Sequence, residues 1–218
     1  MSLIGQIAKT VLNLASLQAG AVIGAQTTLR AANYQQPRPM PHQFAGLLEH
    51  PLRLRYRHPA DLLGELGIAA GMTVLDLGCG SGLYTVEMAR MVGAGGVVHA
   101  LDIQPALVEQ TRQRLLSAAL ADRVQFHCSG AYALPLPAHC VDLAVLVATL
   151  GEIPDKEAAL SELRRVLKPN GILGVSEELL DPGYLPAGAV MRRLESNGFR
   201  FGGRHGSFFC YNLLYYNQ

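Results

Sequence analysis

From Thr73 onward the hydrophobic positions fall into short runs separated by longer stretches with helical spacing. Thr73–Leu77 is a continuous apolar run interrupted only by Asp76, as expected of a buried strand, and Leu83–Val92 has the spacing of a helix. Gly96–Leu101 and Val124–Cys128 read as strands on either side of a helix over Pro105–Leu120, which a proline opens. Val141–Ala148 is a strong strand, apolar throughout after Asp142. A helix over Asp155–Leu167 must stop before Pro169, and Pro169-Asn170-Gly171 turns the chain into a strand at Ile172–Ser176. Pro186–Asn197 is a helix closed by Gly198. Phe199–Phe201 and Ser207–Tyr216, separated by Gly202, Gly203 and Gly206, read as a terminal hairpin. The alternation predicts an α/β chain with a doubly wound, mostly parallel sheet, helices on both faces and a C-terminal antiparallel hairpin.

Upstream the pattern changes. Ile4, Ile7, Val11 and Leu14 form an apolar stripe opposite Gln6, Lys9, Asn13, Ser16 and Gly20, the signature of an amphipathic helix. The uncharged run Thr10–Leu29 is long enough to span a bilayer, but polar residues interrupt it, and Lys9 argues against a cleaved signal peptide. Such a helix can lie on a membrane, pair with a second subunit or pack on its own domain. Residues 33–59 are rich in Pro and Arg and read as a linker with one or two helical turns between His42 and His50. Pro59 opens a helix running to about Leu66. The expected division is a helical extension and lid over residues 1–58, then a ligand-binding domain over residues 59–218.

Charge sharpens this division. The 218 residues carry a net charge of +1, but residues 1–60 carry +5 and the rest −4. An acidic body excludes a general nucleic-acid binder, and a basic, apolar leader suits an anionic surface or partner. The 50% hydrophobic content excludes general disorder. Cys79, Cys128, Cys140 and Cys210 form no C-x-x-C pair and suit a reducing, cytoplasmic compartment, with membrane association through the leader as a further expectation. No metal-ligand spacing is present, and His42, His50 and His58, eight residues apart, cannot share a helix face.

The chemistry concentrates in Val74-Leu75-Asp76-Leu77-Gly78-Cys79-Gly80-Ser81-Gly82-Leu83, a buried strand running through three alternate glycines into a helix. Glycines let the backbone turn sharply and a ligand approach without meeting a Cβ. The dinucleotide pattern G-x-G-x-x-G fails, because its sixth position is Leu83 counted from Gly78 and Thr85 counted from Gly80. Asp76 repels a pyrophosphate but suits a ligand bearing a positive amino group. Asp102, after the second strand, can accept hydrogen bonds from both ribose hydroxyls of an adenosine cofactor.

These residues, with Leu163-Arg164-Arg165-Val166-Leu167-Lys168-Pro169-Asn170-Gly171, resemble the class I S-adenosylmethionine-dependent methyltransferases over roughly residues 60–180. The resemblance implies a Rossmann-like fold with S-adenosylmethionine as cofactor. It places the methionine end at Asp76 and Gly78, the cofactor wall at Cys79, Gly80 and Gly82, and the ribose at Asp102, with Ile103, Gly130, Ala131 and Val147 completing the pocket. The flavour is that of the small-molecule group that includes quinone and arsenite enzymes. Two departures stand out. Ser129-Gly130-Ala131 replaces the family's Gly-Asp-Ala, so the adenine amino group is left to backbone groups of Gly130 and Ala131, or affinity is lower. Gly151-Glu152-Ile153 stands where many relatives carry histidines, and the arsenite enzymes' cysteine triad has no match.

The implied reaction is in-line displacement at the sulfonium methyl, in which alignment supplies much of the acceleration. A base is needed only for a protonated nucleophile, and His42, Glu152 and Glu177 are the candidates. The expected acceptor is small or lipid-like. The other readings are a non-catalytic binding module and a nucleic-acid methyltransferase; the acidic body and the absence of an Asn/Asp-Pro-Pro-Tyr motif oppose the last. The lid over the acceptor pocket is expected in His42–Leu54, with Phe44, Leu47 and Leu48 as its apolar surface, and Leu3–Ala25 is expected to dock on a membrane or to form a homodimer.

Overall fold

A computed structural model describes residue 20 and residues 24–218. The amphipathic stretch expected over Leu3–Ala25 therefore lies almost entirely outside the described residues, as do the side chains of Phe44, Leu47 and Leu48. The chain enters through a helix over residues 24–35 (α1), a 3-10 segment at His42–Glu49 and a short helix at Pro51–Tyr56 (α2). Then follow α3 (Pro59–Glu65), β1 (Thr73–Leu77), α4 (Leu83–Val92), β2 (Val97–Asp102), α5 (Pro105–Ser117), β3 (Val124–Cys128) and β4 (Val141–Val147). The last elements are α6 (Lys156–Val166), β5 (Leu167–Glu178), α7 (Ala187–Ser196), β6 (Phe199–Gly206) and β7 (Cys210–Asn217).

The seven strands form one sheet in the order β3-β2-β1-β4-β5-β7-β6. The first five pair in parallel, while β7 runs antiparallel to both β5 and β6. The two-residue period of each strand divides the core into two layers. Val74, Val98, Ala100 and Val145 face Leu62, Leu63, Leu66, Met88 and Leu115 of α3, α4 and α5. Leu75, Leu101 and Leu146 face Leu160, Leu163 and Leu194 of α6 and α7 on the other side. Burying strands on both faces requires the nearly continuous apolar runs that the sequence shows.

Helix boundaries follow local chemistry. Asp155 caps α6, its side chain accepting from the Ala158 amide at 3.0 Å. Pro59 and Pro105 occupy the first turns of α3 and α5. The structure corrects several expected boundaries. The helix expected to reach Leu120 ends at Ser117, because Ala119 adopts a left-handed φ of 54°. β2 is displaced by one residue and ends on Asp102, not Leu101. The Pro169–Gly171 turn is absorbed into β5, whose register with β4 shifts between Val141 and Leu143. The hairpin strands are longer than their aromatic stretches, with a bulge between Phe201 and Gly203.

The segment before α3 is tied firmly to the sheet. Arg57 is buried and donates from Nη2 to Ser176 Oγ (2.8 Å) and from Nε to Tyr84 OH (3.2 Å). Arg53 and Arg57 both pair with Glu178 on β5, at 2.7 and 3.7 Å. Among the described residues no helix is long and apolar enough to cross a membrane.

Candidate functional site

Strand order reverses between β1 and β4, and a crevice forms at such a switch point, beyond the carboxyl ends of the strands. A cavity of about 290 Å³ lies there. Its floor is the glycine loop after β1, its sides are the loops after β2, β3 and β4, and its roof is Pro39-Met40. The roof is held from both sides: the Met40 amide donates to Glu152 Oε1 (3.1 Å), and Gln104 Nε2 donates to the Met40 carbonyl (2.9 Å). Nearby, Glu49 of the 3-10 segment accepts from Ser81 Oγ (2.8 Å) and Arg114 Nη2 (2.6 Å). The basic leader is thus joined to the glycine loop and to α5.

The glycines have distinct duties. Gly78 adopts φ +81°, and a Cβ there would lie 2.5 Å from Thr149 Oγ1. Gly80, at φ +55°, has nothing within 4 Å of the Cβ position, so a ligand can lie directly on its backbone. Gly82 adopts φ +80° and precedes α4, and a Cβ there would lie 3.0 Å from Thr111. Gly82, expected in the ligand wall, is not among the residues lining the cavity; it makes the turn into α4 beside Thr111 of α5. The amides of Gly78 and Cys79 both donate to the Leu101 carbonyl (2.8 and 3.0 Å), and Thr111 Oγ1 donates to the Gly80 carbonyl (2.9 Å). The loop is pre-shaped by bonds to β2 and α5.

The cavity wall is mostly apolar, and its polar groups include the carboxyls of Asp76, Asp102, Glu152 and Asp181 and the Arg53 guanidinium. Asp76 is buried and accepts from Thr85 Oγ1 (2.6 Å); burial, reinforced by Asp102, pushes its pKa up to about 7. Asp102 accepts from the Gly80 amide (3.1 Å) and the Gln104 amide (2.9 Å), and burial raises its pKa despite these bonds. At the far end burial raises Glu152 to about 8, with Asp181 adding to the effect, and raises Asp181 itself to about 6. Such a wall suits a ligand carrying positive charge or hydrogen-bond donors. The cysteine in the loop is unreactive: burial raises the Cys79 thiol far above its ordinary value, and its sulfur lies 3.7 Å from Thr111 Oγ1.

Asp76, Gly78, Cys79, Gly80, Asp102, Ile103, Gly130, Ala131 and Val147, far apart in sequence, all line this one cavity. Of the three candidate bases, only Glu152 lines it. His42 is exposed on the 3-10 segment, outside the cavity wall. Glu177 is fully buried outside the cavity wall, and burial, with Asp181 adding, holds its pKa well above the ordinary value against the opposing pull of Arg57 and the Leu185 backbone. Sequence reasoning missed Met40, Gln104, Thr149 and Asp181. Asp181 sits in Asp181-Pro182-Gly183, which reads as an ordinary turn, and Met40 acts through its backbone, which leaves no residue-type signal. Ala148 carries one detectable mark, a left-handed φ of 53° on the cavity wall, the kind of backbone strain that collects at functional sites.

Residues 74–171 match the family described as Methyltransferase domain. UbiE of Hahella chejuensis, named a ubiquinone/menaquinone biosynthesis C-methyltransferase, is 37% identical over 115 residues, 53% of this chain and 46% of that protein. The protein of the same name from Marinomonas sp. is 33% identical over 162 residues, 68% of this chain and 63% of the relative. The chain thus spans between 46% and 63% of the length of these curated relatives. Among solved structures, an S-adenosylmethionine-dependent methyltransferase from Aquifex aeolicus aligns at a TM-score of 0.76 and 28% identity, covering 83% of this chain and 100% of that one.

Proposed function

We propose that the chain is a class I S-adenosylmethionine-dependent methyltransferase, a reading supported by the family match and by the likeness to the UbiE and Aquifex aeolicus proteins, and that it transfers a methyl group to a small or lipid-like acceptor held beneath Met40. The observation that carries this reading is the crevice itself: an unobstructed Gly80 backbone between two buried carboxyls, Asp76 and Asp102. The residues fit the cofactor. Asp76 offers a carboxyl to its ammonium group, Asp102 offers acceptors to its ribose hydroxyls, and Gly80 leaves room for its backbone-hugging part. Ile103, Gly130 and Ala131 supply the adenine slot, and Val147 the wall opposite. When bound, the cofactor supplies an electrophilic methyl on a sulfonium.

The rest of the work falls to the protein. Ile153, Pro154 and Met40 exclude water from the acceptor end and orient a flat, apolar acceptor. Glu152, with its pKa raised to about 8, sits where an acceptor hydroxyl would lose its proton, and the Met40 amide holds its carboxyl in place. The names of the two UbiE relatives favour an aromatic, quinone-related acceptor, and the apolar walls agree with it. Residues 24–57 act as the cover of the cavity, bound through Arg53, Arg57 and Glu49 rather than swinging on a linker. The scattered free cysteines support a reducing, cytoplasmic setting.

The test is a methyl-transfer assay with hydroquinone, phenol, thiol and amine acceptors. Glu152→Gln is expected to lower kcat by about a hundredfold or more on a hydroxyl-bearing aromatic, leaving cofactor affinity within about twofold. Equal turnover by the variant removes Glu152 from the chemistry. Turnover confined to amines or thiols overturns the aromatic acceptor.

A further inference from the structure

Six of the ten exposed large hydrophobic side chains among the described residues lie on four segments that contact one another. Leu29 and Tyr34 belong to α1, Leu180 follows β5, Tyr56 ends α2, and Phe208 and Phe209 form the tip of the β6–β7 hairpin. Gln26 donates to the Leu180 carbonyl, and the Arg30 guanidinium stacks 5.6 Å from the Tyr184 ring centre. The hairpin tip is fixed to the same loop: the Leu179 amide donates to the Phe209 carbonyl (2.7 Å), and Tyr184 OH donates to the Phe208 carbonyl (2.9 Å). Phe208 packs edge-on to Tyr184, and Phe209 to Tyr56. Despite that anchoring, Phe208 is 68% exposed and Leu180 58% exposed. These side chains stay exposed although the backbone that carries them is hydrogen-bonded to its neighbours.

The charges around them have one sign. The only acidic residues in 24–57, 179–186 and 199–217 are Glu49, bound to Arg114, and Asp181, which is buried. Arg38, Arg55 and Arg204 are exposed there, and Arg204 lies close enough to Tyr184 and Tyr211 to affect the first and stack on the second. Within those three stretches a second copy of the chain brought against this face would meet exposed charge of the same sign. An anionic bilayer answers both features, since aromatic and aliphatic tips enter the headgroup region and arginines meet lipid phosphates.

We propose that the face formed by α1, the Leu180 loop and the Phe208-Phe209 hairpin tip docks on the surface of anionic lipid bilayers. The face borders the cavity through Asp181, adjacent to Leu180 and part of the cavity wall. Docking there sets the acceptor end of the cavity close to the lipid. The proposal rests on the surface alone and holds whatever the acceptor proves to be.

The experiment is sedimentation of the full chain with vesicles of phosphatidylcholine alone or of phosphatidylcholine with phosphatidylglycerol, alongside size measurement without lipid. Binding is expected with the anionic vesicles and is expected to weaken in high salt. The double variant Leu180→Ser, Phe208→Ser is expected to lower partitioning at least tenfold while calorimetric cofactor binding stays unchanged. Should that pair fail to fold, Arg204→Gln, an exposed single change, is expected to lower it about fivefold. No binding to anionic vesicles, or binding that none of these changes reduces, overturns the proposal. A stable dimer that the double variant splits overturns it in favour of a subunit interface.

Discussion

Asp76 and Asp102 stand near the ends of neighbouring parallel strands, with Asp102 two register steps beyond Ala100, the partner of Asp76, and do different work. Asp102 already accepts two backbone amides, so its carboxyl is oriented before any ligand arrives. Asp102→Ala removes charge-assisted bonds worth roughly 1.5–3 kcal/mol, and calorimetry is expected to show S-adenosylmethionine affinity falling about tenfold or more. Asp76 is instead held near neutrality by burial, with a pKa of about 7 against an ordinary 3.8. The folded protein therefore binds more protons than the unfolded chain between about pH 4 and pH 7. The resulting penalty is absent below the unfolded value and complete above the folded one, so stability falls as pH rises through that window. Asp181 and Glu152 act in the same direction. Thermal denaturation without ligand is expected to show a midpoint that drops from pH 5.5 to pH 8, and Asp76→Asn is expected to flatten that drop. A cationic cofactor favours the ionised carboxyl, so its stabilisation is expected to be larger at pH 8 than at pH 6. An Asp76→Asn protein with the wild-type slope would contradict this account.

Among elements, the contacts that position the cavity are made by glycines and arginines. Gly151 follows β4, and a Cβ there would come within 1.8 Å of the Gly183 carbonyl oxygen, so backbone meets backbone where the Glu152 segment packs on the Asp181 loop. This gives a physical reason for the departure at Gly151-Glu152-Ile153, which the sequence showed only as a missing histidine. Gly151→Ala is expected to cost about 2–3 kcal/mol in denaturant unfolding and to push the acceptor wall outward, with cofactor binding less affected than turnover. Arg57 joins α2 to α4, β5 and β7; Arg57→Met leaves Ser176 and Tyr84 without their donor and is expected to destabilise by about 3 kcal/mol. The central elements were legible because period and punctuation agree there: Thr73–Leu77, Leu83–Val92 and Val124–Cys128 stand where the pattern puts them. α2 and the 3-10 segment were less legible, since Pro51 and scattered arginines read as linker. What ties them to β5 and α5 is long-range pairing with Glu178, Ser176 and Arg114, which no local pattern encodes.

For the whole molecule, the sheet order places loops from β1, β2, β3 and β4 around one cavity, and this is why cavity-lining residues from Asp76 to Val147, about seventy positions apart, converge. The Asp76-to-Gly82 loop and Asp102 were readable because a strand, a turn and a helix follow one another there, and only certain residue types permit that path. Asp181 and the roof at Met40 were not readable, because their place in the wall depends on how β5 and α1 pack. The central claim is that this cavity is a site for S-adenosylmethionine, and titration calorimetry tests it most directly. The wild-type chain is titrated with S-adenosylmethionine and, separately, with NAD, and the first titration is repeated on a variant with a bulky residue at Gly80. The expected result is one S-adenosylmethionine bound per chain, no heat with NAD, and loss of binding in a Gly80→Leu protein that retains its circular dichroism. A preference for NAD, or S-adenosylmethionine binding that survives the Gly80→Leu change undiminished, would contradict it.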